Sequence, residues 1–559
     1  MKRDIQRLME EEFDLLIIGA GIYGAATAWE AASRGLSVAL IDKGDFGGLT
    51  SANSLKTIHG GIRYLQTLDV DRMRESVRER RALLKIAPHL VYPLCCIMPT
   101  YGYFLRSRPV LQMGLLLNDI LSMDRNWGLD QDKHISRGKT ISREECLAML
   151  IGINGNGVTG GAMWTDAQMI SSERLLLSFI LSAEQAGAVP ANYVEAIEFL
   201  RTSHRIFGVV AKDLLTQKEF EIHAKMTLNM TGGFFNHVMK KAVPETSCRP
   251  IQLSTAMNLV LRKSLLPGCA AGVLSRFIYL RPSKKPYKGT RILFFAPWKE
   301  FTLVGTHHRP YYDEPENLRV TAKEVNTFLE EVQHVYPGGA IQKEDVSFWH
   351  KGFLPMDGVN GKSGEVFLTK HYRIYDHEKE DGVEGFMSVI GVKYTTARGV
   401  AEKTVNLVFK KLGRKRIPSK THCTPIWGGE IKRFENFKAC VIERKVYELS
   451  PKVLQYLVYH YGSEYPNILS YLEKNPKWAE LLPGSEEVIL AEIVHAVREE
   501  MAVKLSDVIL RRTSLGAGGH PGEACLKACA SMMADELGWS KATKEKEILE
   551  TAKLYTLTQ

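Results

Sequence analysis

The fold class is predicted by an N-terminal segment, Phe13-Asp14-Leu15-Leu16-Ile17-Ile18-Gly19-Ala20-Gly21-Ile22-Tyr23-Gly24. It begins with a nearly continuous apolar run, which is typical of a strand buried on both faces of a parallel sheet. The run leads into a GxGxxG turn, and the alanine-rich segment that follows predicts a helix from about Ile22 to Ser33. A second apolar run, residues 37–41, ends at Asp42. This order predicts a strand, a tight turn, a helix and a second parallel strand.

The glycines and the acid of this unit each have a physical task in binding a dinucleotide. Gly19 permits the tight turn, Gly21 lets a pyrophosphate approach the backbone, and Gly24 lets the helix pack closely on the strand. The free N–H groups at the start of the helix attract phosphate. Asp42 stands about twenty residues beyond the motif, where a carboxylate accepts ribose hydroxyls. The sequence therefore predicts an α/β protein with an N-terminal Rossmann-type domain.

The bulk composition is that of a folded protein of several domains. A chain of 559 residues is too long for one core, and 45% hydrophobic and 24% charged residues are ordinary values. No apolar run reaches the roughly 18 residues that cross a bilayer. The first dozen residues predict a short amphipathic helix rather than a signal peptide. A net charge of +10 fits anionic lipid or an anionic substrate, whereas nucleic acid is disfavoured because no reader motif accompanies the basic residues.

The nine cysteines show neither CxxC pairs nor zinc-ligand spacing, so no metal site is predicted. We interpret the doublet Cys95-Cys96 and the pair Cys525 and Cys529 as buried thiols. This usage favours a reducing compartment, and we expect a cytoplasmic protein.

A second motif narrows the cofactor. Thr50 to Leu65 reads TSANSLKTIHGGIRYL, a hydroxyl-rich stretch followed by a glycine pair. It resembles the D-amino-acid-oxidase-like flavoproteins, and its IHGGxRYL part is similar to FAD-dependent glycerol-3-phosphate dehydrogenases and oxidases. The segments 192–196, 229–234 and 391–398 resemble that family in the same order, so the resemblance covers nearly the whole chain. It implies bound FAD.

Pattern and resemblance together predict the cofactor-binding residues. They are Gly19, Gly21, Gly24, Asp42, Thr50, Ser51, Ser54, His59, Gly60, Gly61, Val194, Thr231, Gly232, Gly391, Lys393, Tyr394 and Thr395.

Oxidising an alcohol at a flavin requires a proton acceptor and positive charge near the reduced ring. Lys393 is predicted to contact substrate or flavin, and the helix after it to present its positive end. Arg63 is predicted to hold an anion, because its planar fork pairs bidentately. His59 is interpreted as a hydrogen-bonded structural histidine, with a proton relay or covalent flavin attachment as the alternatives. His307, or else its neighbour His308, is expected to face the pocket.

The predicted substrate-binding residues are Arg63, Tyr64, Asn258, Lys370 and Lys393. The chain departs from the family pattern where a substrate-gripping arginine is replaced by Leu354, and Asn258 and Lys370 replace a histidine and an arginine. Losing a bidentate arginine removes a hydrogen bond worth about 1.5–3 kcal/mol. His307, His350 and Lys351 are candidates to compensate.

The predicted architecture is an FAD-binding Rossmann-type domain interleaved with an α+β substrate domain over residues 1–420, then a C-terminal helical domain over 421–559. Paired strands are expected at 291–296 and 301–306. The predicted function is FAD-dependent oxidation of glycerol 3-phosphate or a related small anionic alcohol, by hydride transfer to flavin N5 with quinone as acceptor. An oxidase or dehydrogenase of an amine or 2-hydroxy acid is the alternative, and a flavin-bound scaffold without turnover is a third reading.

Three segments favour a membrane surface. Residues 101–117 combine aromatic, arginine and aliphatic side chains that suit the headgroup layer. The basic loops 281–288 and 410–416 would be attracted to anionic lipid by about 1 kcal/mol per cation. The expectation is peripheral attachment to the cytoplasmic face of the inner membrane. A homodimer is compatible with the sequence.

Overall fold

The computed structural model describes residues 1–102, 108–243, 250–266, 268–281, 284–361 and 364–558, and the side chains of these residues other than those of 66 and 276–290. Two parts of the predicted lipid-facing segments, 103–107 and 282–283, lie outside the described residues.

The described strands form two sheets. They are β1 (Glu12–Ile18), β2 (Val38–Ile41), β3 (Thr57–Ile58), β4 (Val91–Tyr101), β5 (Lys139–Ile141), β6 (Val158–Met169), β7 (Val189–Ala191), β8 (Val194–Arg201), β9 (Ile206–Asp213), β10 (Glu219–Asn229), β11 (Gln252–Leu261), β12 (Cys269–Arg281), β13 (Lys284–Trp298), β14 (Phe301–Tyr311), β15 (Val346–Val359), β16 (Val366–Leu368), β17 (Arg373–Asp376) and β18 (Phe386–Ile390).

The helices cover both sheets and make up the C-terminal part. They are α1 (Ile5–Glu10), α2 (Ile22–Ala32), α3 (Val70–Ile86), α4 (Arg108–Leu121), α5 (Arg143–Met149), α6 (Ser172–Gln185), α7 (Phe235–Ala242), α8 (Ala322–Val335), α9 (His377–Glu380), α10 (Ala397–Lys411), α11 (Phe434–Glu443), α12 (Pro451–Tyr461), α13 (Tyr465–Lys474), α14 (Leu490–Glu499), α15 (Leu505–Asp507), α16 (Glu523–Leu537) and α17 (Lys541–Lys553).

The first sheet contains the predicted βαβ unit. Its order is β17-β18-β10-β1-β2-β7, and the five strands from β18 to β7 are parallel neighbours. Leu15 and Ile17 of β1 pack on the side of α2, whereas Leu16 and Ile18 pack on the opposite side. Because both faces of β1 are covered, its sequence is apolar without alternation. The predicted strand, turn and helix are confirmed.

The second sheet has the order β16-β15-β11-β14-β13-β12-β4-β6-β3 and is antiparallel except where β12 pairs with β4. The chain crosses between the sheets repeatedly, because β1, β2, β7–β10, β17 and β18 belong to the first and the others to the second. The predicted interleaving is thus confirmed. The two strands expected at 291–296 and 301–306 pair with Phe294 opposite Gly305.

The C-terminal part is helical, as predicted. Its apolar side chains do not form a separate core. Those of α12, including Leu457 and Tyr461, share one core with Leu175 and Phe179 of α6. The helices are therefore docked on the face of the first sheet that also carries α2. The division at residue 420 stays a prediction.

One cysteine interpretation is wrong. Cys95 is joined to Cys269 as a disulfide, while Cys96 is a buried free thiol, as are Cys525 and Cys529. Cys95 and Cys269 lie opposite each other on parallel neighbours β4 and β12, a pairing that sequence spacing cannot reveal. Cysteine usage therefore no longer argues for a reducing compartment.

The predicted N-terminal amphipathic helix is present as α1, in which only Leu8 is buried. Among the described residues, the helices lack the length and apolar character needed to cross a membrane.

Candidate active site

Four segments that are distant in sequence converge where the two sheets meet. They are the glycine turn 19–24, the loop 47–61, the turn 230–232 after β10, and residues 391–396 before α10. Gly47 donates to the carbonyl of Ala20, and the His59 N–H lies 3.2 Å from Thr395 Oγ1. The sites predicted from separate motifs thus form one region.

The glycine turn has the geometry that its sequence predicts. Gly19 has φ +102°, and a Cβ there would lie 2.7 Å from the carbonyl oxygen of Met230. A Cβ on Gly24 would lie 1.9 Å from the Gly19 carbonyl oxygen. Both positions exclude any side chain because the obstruction is rigid backbone. The turn is built for close approach of backbone to a ligand.

The start of α2 presents donors. The Ile22 N–H is bound by Ser51 Oγ at 3.0 Å. Among the described residues, the N–H groups of Gly21, Tyr23 and Gly24 have no acceptor. Such orphan donors at a helix N-terminus form an anion site, and they match a pyrophosphate.

Asp42 closes the predicted nucleotide site at the end of β2. Its carboxylate accepts the N–H of Ala20 at 2.7 Å and that of Gly44 at 2.8 Å, and its carbonyl accepts the Val194 N–H at 2.8 Å. Burial raises the pKa of Asp42 to about 6, although the two backbone hydrogen bonds oppose that rise. Each carboxylate oxygen keeps a lone pair for a ribose hydroxyl. Val194 is thereby placed beside the same site.

The other predicted loop residues fasten the region. Thr50 Oγ1 accepts the Phe353 N–H at 2.9 Å, which ties the loop to β15, and Ser54 Oγ accepts the backbone N–H of Lys56 at 3.2 Å. Thr231 is bound to the side chain of Asn229. Gly232 has φ +56° and is exposed, so nothing but its backbone conformation marks it.

The segment before α10 is held by Tyr23, a residue that the motif reading left unassigned. The Tyr23 hydroxyl donates to the Lys393 carbonyl at 2.7 Å and accepts the N–H of Val392 at 3.2 Å. The ring occupies the space where a side chain on Gly391 would lie. Tyr394 is fixed by its hydroxyl, which donates to the Ser172 carbonyl at 2.8 Å.

Two cations contact one aromatic ring. Lys393 Nζ lies 4.0 Å from the ring centre of Tyr64, and the Arg72 guanidinium lies 4.1 Å from it. Burial, and next the charge of Arg72, lower the pKa of Lys393 to about 8. Lys393 is therefore a charged group at neutral pH whose charge is lost readily in mild base.

His59 stands beside a buried carboxylate that the sequence reading missed. Its Nδ1 lies 3.5 Å from Asp166 Oδ2, and its side chain is 51% exposed. Asp166 Oδ1 accepts the Gly60 N–H at 2.5 Å and Arg80 at 2.7 Å. Burial acts to raise the pKa of Asp166, but its contacts with His59 and Arg80 outweigh this and hold it below its ordinary value. Asp166 could have been found from the sequence as an acidic residue in β6. This strand pairs with β3, and β3 leads into the glycine pair.

The glycine pair is confined by the same network. A Cβ on Gly60 would lie 2.1 Å from an Arg80 nitrogen, and Gly61 has φ +87°. The interpretation of His59 as a hydrogen-bonded structural histidine stays a prediction, and Asp166 is the partner that the structure gives it. An imidazole oriented by a buried carboxylate also has the geometry of a proton acceptor.

The prediction of His307 as a catalytic residue is wrong in placement. His307 hydrogen-bonds Arg291 and Arg309 and packs on Phe328 of α8, on the far side of the second sheet. Its neighbour His308 points the other way, and its Nδ1 is buried without a partner among the described residues. Burial, with the charges of Arg291 and Arg63, lowers the pKa of His308 to about 4. Alternation along a strand predicts opposite faces, but not which face meets the site.

The remaining substrate candidates differ in how closely they approach. Asn258 is buried, and its Oδ1 accepts the Thr306 hydroxyl at 2.9 Å on the side of His308. Arg63 is exposed and close enough to His308 to influence its pKa. Lys370 is exposed on the loop between β16 and β17, so the structure does not bring it into the cluster.

None of the three residues expected to replace the missing arginine does so. Lys351 is bound by Glu324 of α8 at 2.9 Å, and His307 lies on that same side. His350 is buried with its Nε2 3.1 Å from the Ala517 carbonyl. These three residues therefore do not fill the position that Leu354 leaves without a cation.

The donor set fits FAD. Orphan N–H groups at the start of α2, the Asp42 carboxylate and the glycine positions closed to any Cβ meet the needs of its pyrophosphate and ribose. Residues 391–395 would place backbone and the N-terminus of α10 beside its ring.

Comparisons with known proteins agree with this geometry. A family model described as FAD dependent oxidoreductase matches residues 14–405, and one described as the C-terminal domain of alpha-glycerophosphate oxidase matches residues 419–544.

Individual proteins match over nearly the whole chain. A glycerol-3-phosphate dehydrogenase of Synechocystis is 31% identical, with 98% of this chain and 97% of that protein covered. The mitochondrial glycerol-3-phosphate dehydrogenase of Bos taurus is 30% identical over 97% of this chain and 73% of its own. The structure of the Bacillus halodurans glycerol-3-phosphate dehydrogenase complexed with FAD has a TM-score of 0.75 at 21% identity, with 99% of this chain and 97% of that one covered, which shows a shared fold.

Proposed function

The chain belongs to the FAD-dependent glycerol-3-phosphate dehydrogenase family, and on that premise we propose that it oxidises glycerol 3-phosphate and passes the electrons to a quinone. It is an FAD-dependent oxidoreductase. The observation that supports this substrate is that a candidate proton acceptor lies close in sequence to a residue that contacts a cation. His59, oriented by Asp166, is five residues from Tyr64, whose ring contacts Lys393.

The bound flavin supplies an acceptor for the hydride from the alcohol carbon. His59 accepts the hydroxyl proton, and Asp166 stabilises the imidazolium that results. An Nδ1–H directed at Asp166 leaves Nε2 free for the substrate hydroxyl. The N-terminus of α10 directly follows residues 391–396, so its positive end would stabilise negative charge on a flavin bound beside them.

The phosphate of the substrate would be held by Lys393 and Arg63. Arg63 is exposed and forms no ion pair among the described residues, so its fork is available to an anion. With Leu354 in place of the family arginine, fewer charged donors are left for this role. His308, kept neutral by burial, offers a hydrogen bond beside Asn258.

The proposal is tested by anaerobic mixing of the FAD-loaded protein with glycerol 3-phosphate, lactate and an amine. We expect glycerol 3-phosphate alone to bleach the flavin, and a short-chain quinone to reoxidise it faster than oxygen does. Bleaching by another substrate class, or faster reoxidation by oxygen, would contradict the substrate or the acceptor respectively.

The affinity for a phosphorylated ligand is expected to fall as the pH rises through about 8. Below that pH Lys393 is charged and holds the anion, and above it the neutral amine does not. Titration with dihydroxyacetone phosphate, followed by flavin absorbance, should show about five- to tenfold weaker binding at pH 9 than at pH 7.

The variant Lys393→Arg is the matched control, because a guanidinium stays charged across this range. Its affinity should be flat with pH, and that of Lys393→Met flat and weak. An unchanged pH dependence in Lys393→Met would show that another group binds the phosphate.

We also propose that α4 attaches the protein to a membrane surface, which would bring it to a lipid-soluble quinone. Its outward face carries apolar side chains at helical spacing with large exposed fractions: Val110 42%, Met113 72%, Leu116 60%, Leu117 40% and Ile120 52%. Exposed aliphatic side chains grouped on one helix face mark an interaction surface.

The double variant Met113→Glu/Leu116→Glu should bind vesicles of phosphatidylcholine and phosphatidylglycerol more than tenfold more weakly, because each lost apolar contact is worth about 1.5–3 kcal/mol. Sedimentation with vesicles measures this. Leu215→Glu/Leu481→Glu, at isolated exposed positions, is the control and should bind normally. Equal loss in both pairs would disprove attachment through α4.

A further inference from the structure

We propose that a cationic cleft between α3 and α10 binds the phosphate headgroup of an anionic phospholipid. The proposal rests on the attachment through α4 and adds to it a defined lipid site. Three features support it: the cleft itself, two cations without a partner among the described residues, and the exposed apolar side chains of α4 nearby.

The cleft has a volume of about 470 Å³. Its floor is the buried ion pair of Glu79 with Arg398, whose atoms approach to 2.6 Å. Arg78 and Lys85 of α3 line it, as do His422 and Glu402, and Glu402 is paired with Arg398 at 3.0 Å. A volume of this size accommodates a headgroup phosphate with its glycerol.

Some cations of the cleft are paired with carboxylates and others are not. Arg81 is bound to Asp124 at 2.8 Å and Lys403 to Glu75 at 2.7 Å. Arg78 and Lys85 form no hydrogen bond or ion pair among the described residues, and both are exposed to the cleft. Two unneutralised cations that line the cleft attract a phosphate, and Arg78 can bind it bidentately.

The cleft adjoins the turn at the C-terminal end of α4, the helix that carries the apolar face. The turn that follows α4 is held against α3, because the Asp124 carboxylate accepts hydrogen bonds from both Arg74 and Arg81. In this turn Met123 is 69% exposed, and Trp127, 70% exposed, lines the cleft itself. A tryptophan between an apolar strip and cations matches the boundary between acyl chains and headgroups.

This adjacency favours lipid over a free phosphate ester. The cations alone would satisfy a soluble phosphate, which has no use for the apolar strip. A phospholipid uses both surfaces, with its headgroup beside Arg78 and its acyl chains along α4.

The test uses the full FAD-loaded chain and vesicles of phosphatidylcholine with phosphatidylglycerol. Arg78→Gln/Lys85→Gln should weaken vesicle binding about 100-fold or more, since each of the two charge-assisted contacts with a phosphate is worth about a factor of ten or more. The control Arg137→Gln/Lys139→Gln removes the same charges from exposed positions beside α4 but outside the cleft, and should lose only the diffuse attraction, about fivefold per cation at most. Flavin reduction by glycerol 3-phosphate reports that both variants are folded.

Equal losses in the two pairs would show diffuse attraction and overturn the cleft. So would unchanged vesicle binding of Arg78→Gln/Lys85→Gln, even if glycerophosphoglycerol or inorganic phosphate bound the wild-type cleft in calorimetry, since the ligand would then be a free phosphate. Failure of the membrane proposal is recognised separately, because Met113→Glu/Leu116→Glu would then bind vesicles as the wild type does.

Discussion

Replacing His59 by glutamine is expected to slow reduction of the flavin by glycerol 3-phosphate about 100- to 10,000-fold. Glutamine keeps a polar side chain of similar length but accepts no proton. The backbone N–H of His59, which contacts Thr395, is unaffected, so FAD should remain bound. Stopped-flow absorbance under anaerobic conditions measures the rate, and titration with dihydroxyacetone phosphate measures ligand affinity, which we expect to change little.

His204→Gln, at an exposed turn remote from the site, is the matched control and should reduce at the wild-type rate. A rate for His59→Gln within about threefold of wild type would mean that His59 is a structural residue after all. Lys393 would then be the group to examine as proton acceptor, because its pKa of about 8 makes a neutral amine accessible.

The fold could be predicted from sequence because its determinants are local. In the glycine turn, Gly19 and Gly24 are each required by a backbone atom less than 3 Å from where a Cβ would lie, and the strand, turn and helix follow one another without interruption. Asp42 was found for the same reason, since it ends the strand next to β1. Order along the chain and proximity in space coincide in a βαβ unit.

The parts of the site that sequence missed depend on pairing between distant strands. Asp166 meets His59 only because β6 pairs with β3, and the register of that pair is not written in either segment. His307 and His308 show the same limit, since a shift of one residue in β14 would exchange the face of the sheet that each occupies. The prediction of residues that replace the missing arginine failed for the same reason. The sequence does not show which residues of β15 face α8 and which face the flavin site.

A second determinant invisible in the sequence joins the C-terminal helices to the nucleotide loop. Asp45 is 5% exposed and is contacted by Arg512 through two hydrogen bonds of 2.6 and 2.7 Å, and also by Arg511. Asn192 donates to the same carboxylate at 3.0 Å. Burial acts to raise the pKa of Asp45, but the two arginines outweigh it and hold the pKa below its ordinary value.

Asp45→Asn is therefore expected to lower the free energy of unfolding by about 3–5 kcal/mol, the usual result of removing one partner from a buried ion pair. The variant leaves two buried guanidinium groups with less counter-charge. Because the folded-state pKa is depressed, the contribution of Asp45 is present above the unfolded pKa of about 3.8 and is lost as the pH falls further. The deficit of the variant should thus be large at pH 7 and shrink in acid. Urea unfolding at saturating FAD measures it.

Glu536→Gln breaks a partly exposed ion pair with Arg498 and should change stability by about 1 kcal/mol or less. The contrast separates burial from charge removal as such. Asp45 lies three residues beyond Asp42, so its loss should also loosen the loop at the ribose site and weaken FAD binding. If Asp45→Asn unfolded within 1 kcal/mol of the wild type and held FAD equally well, the contacts of Asp45 with the two arginines would be incidental to both stability and cofactor binding.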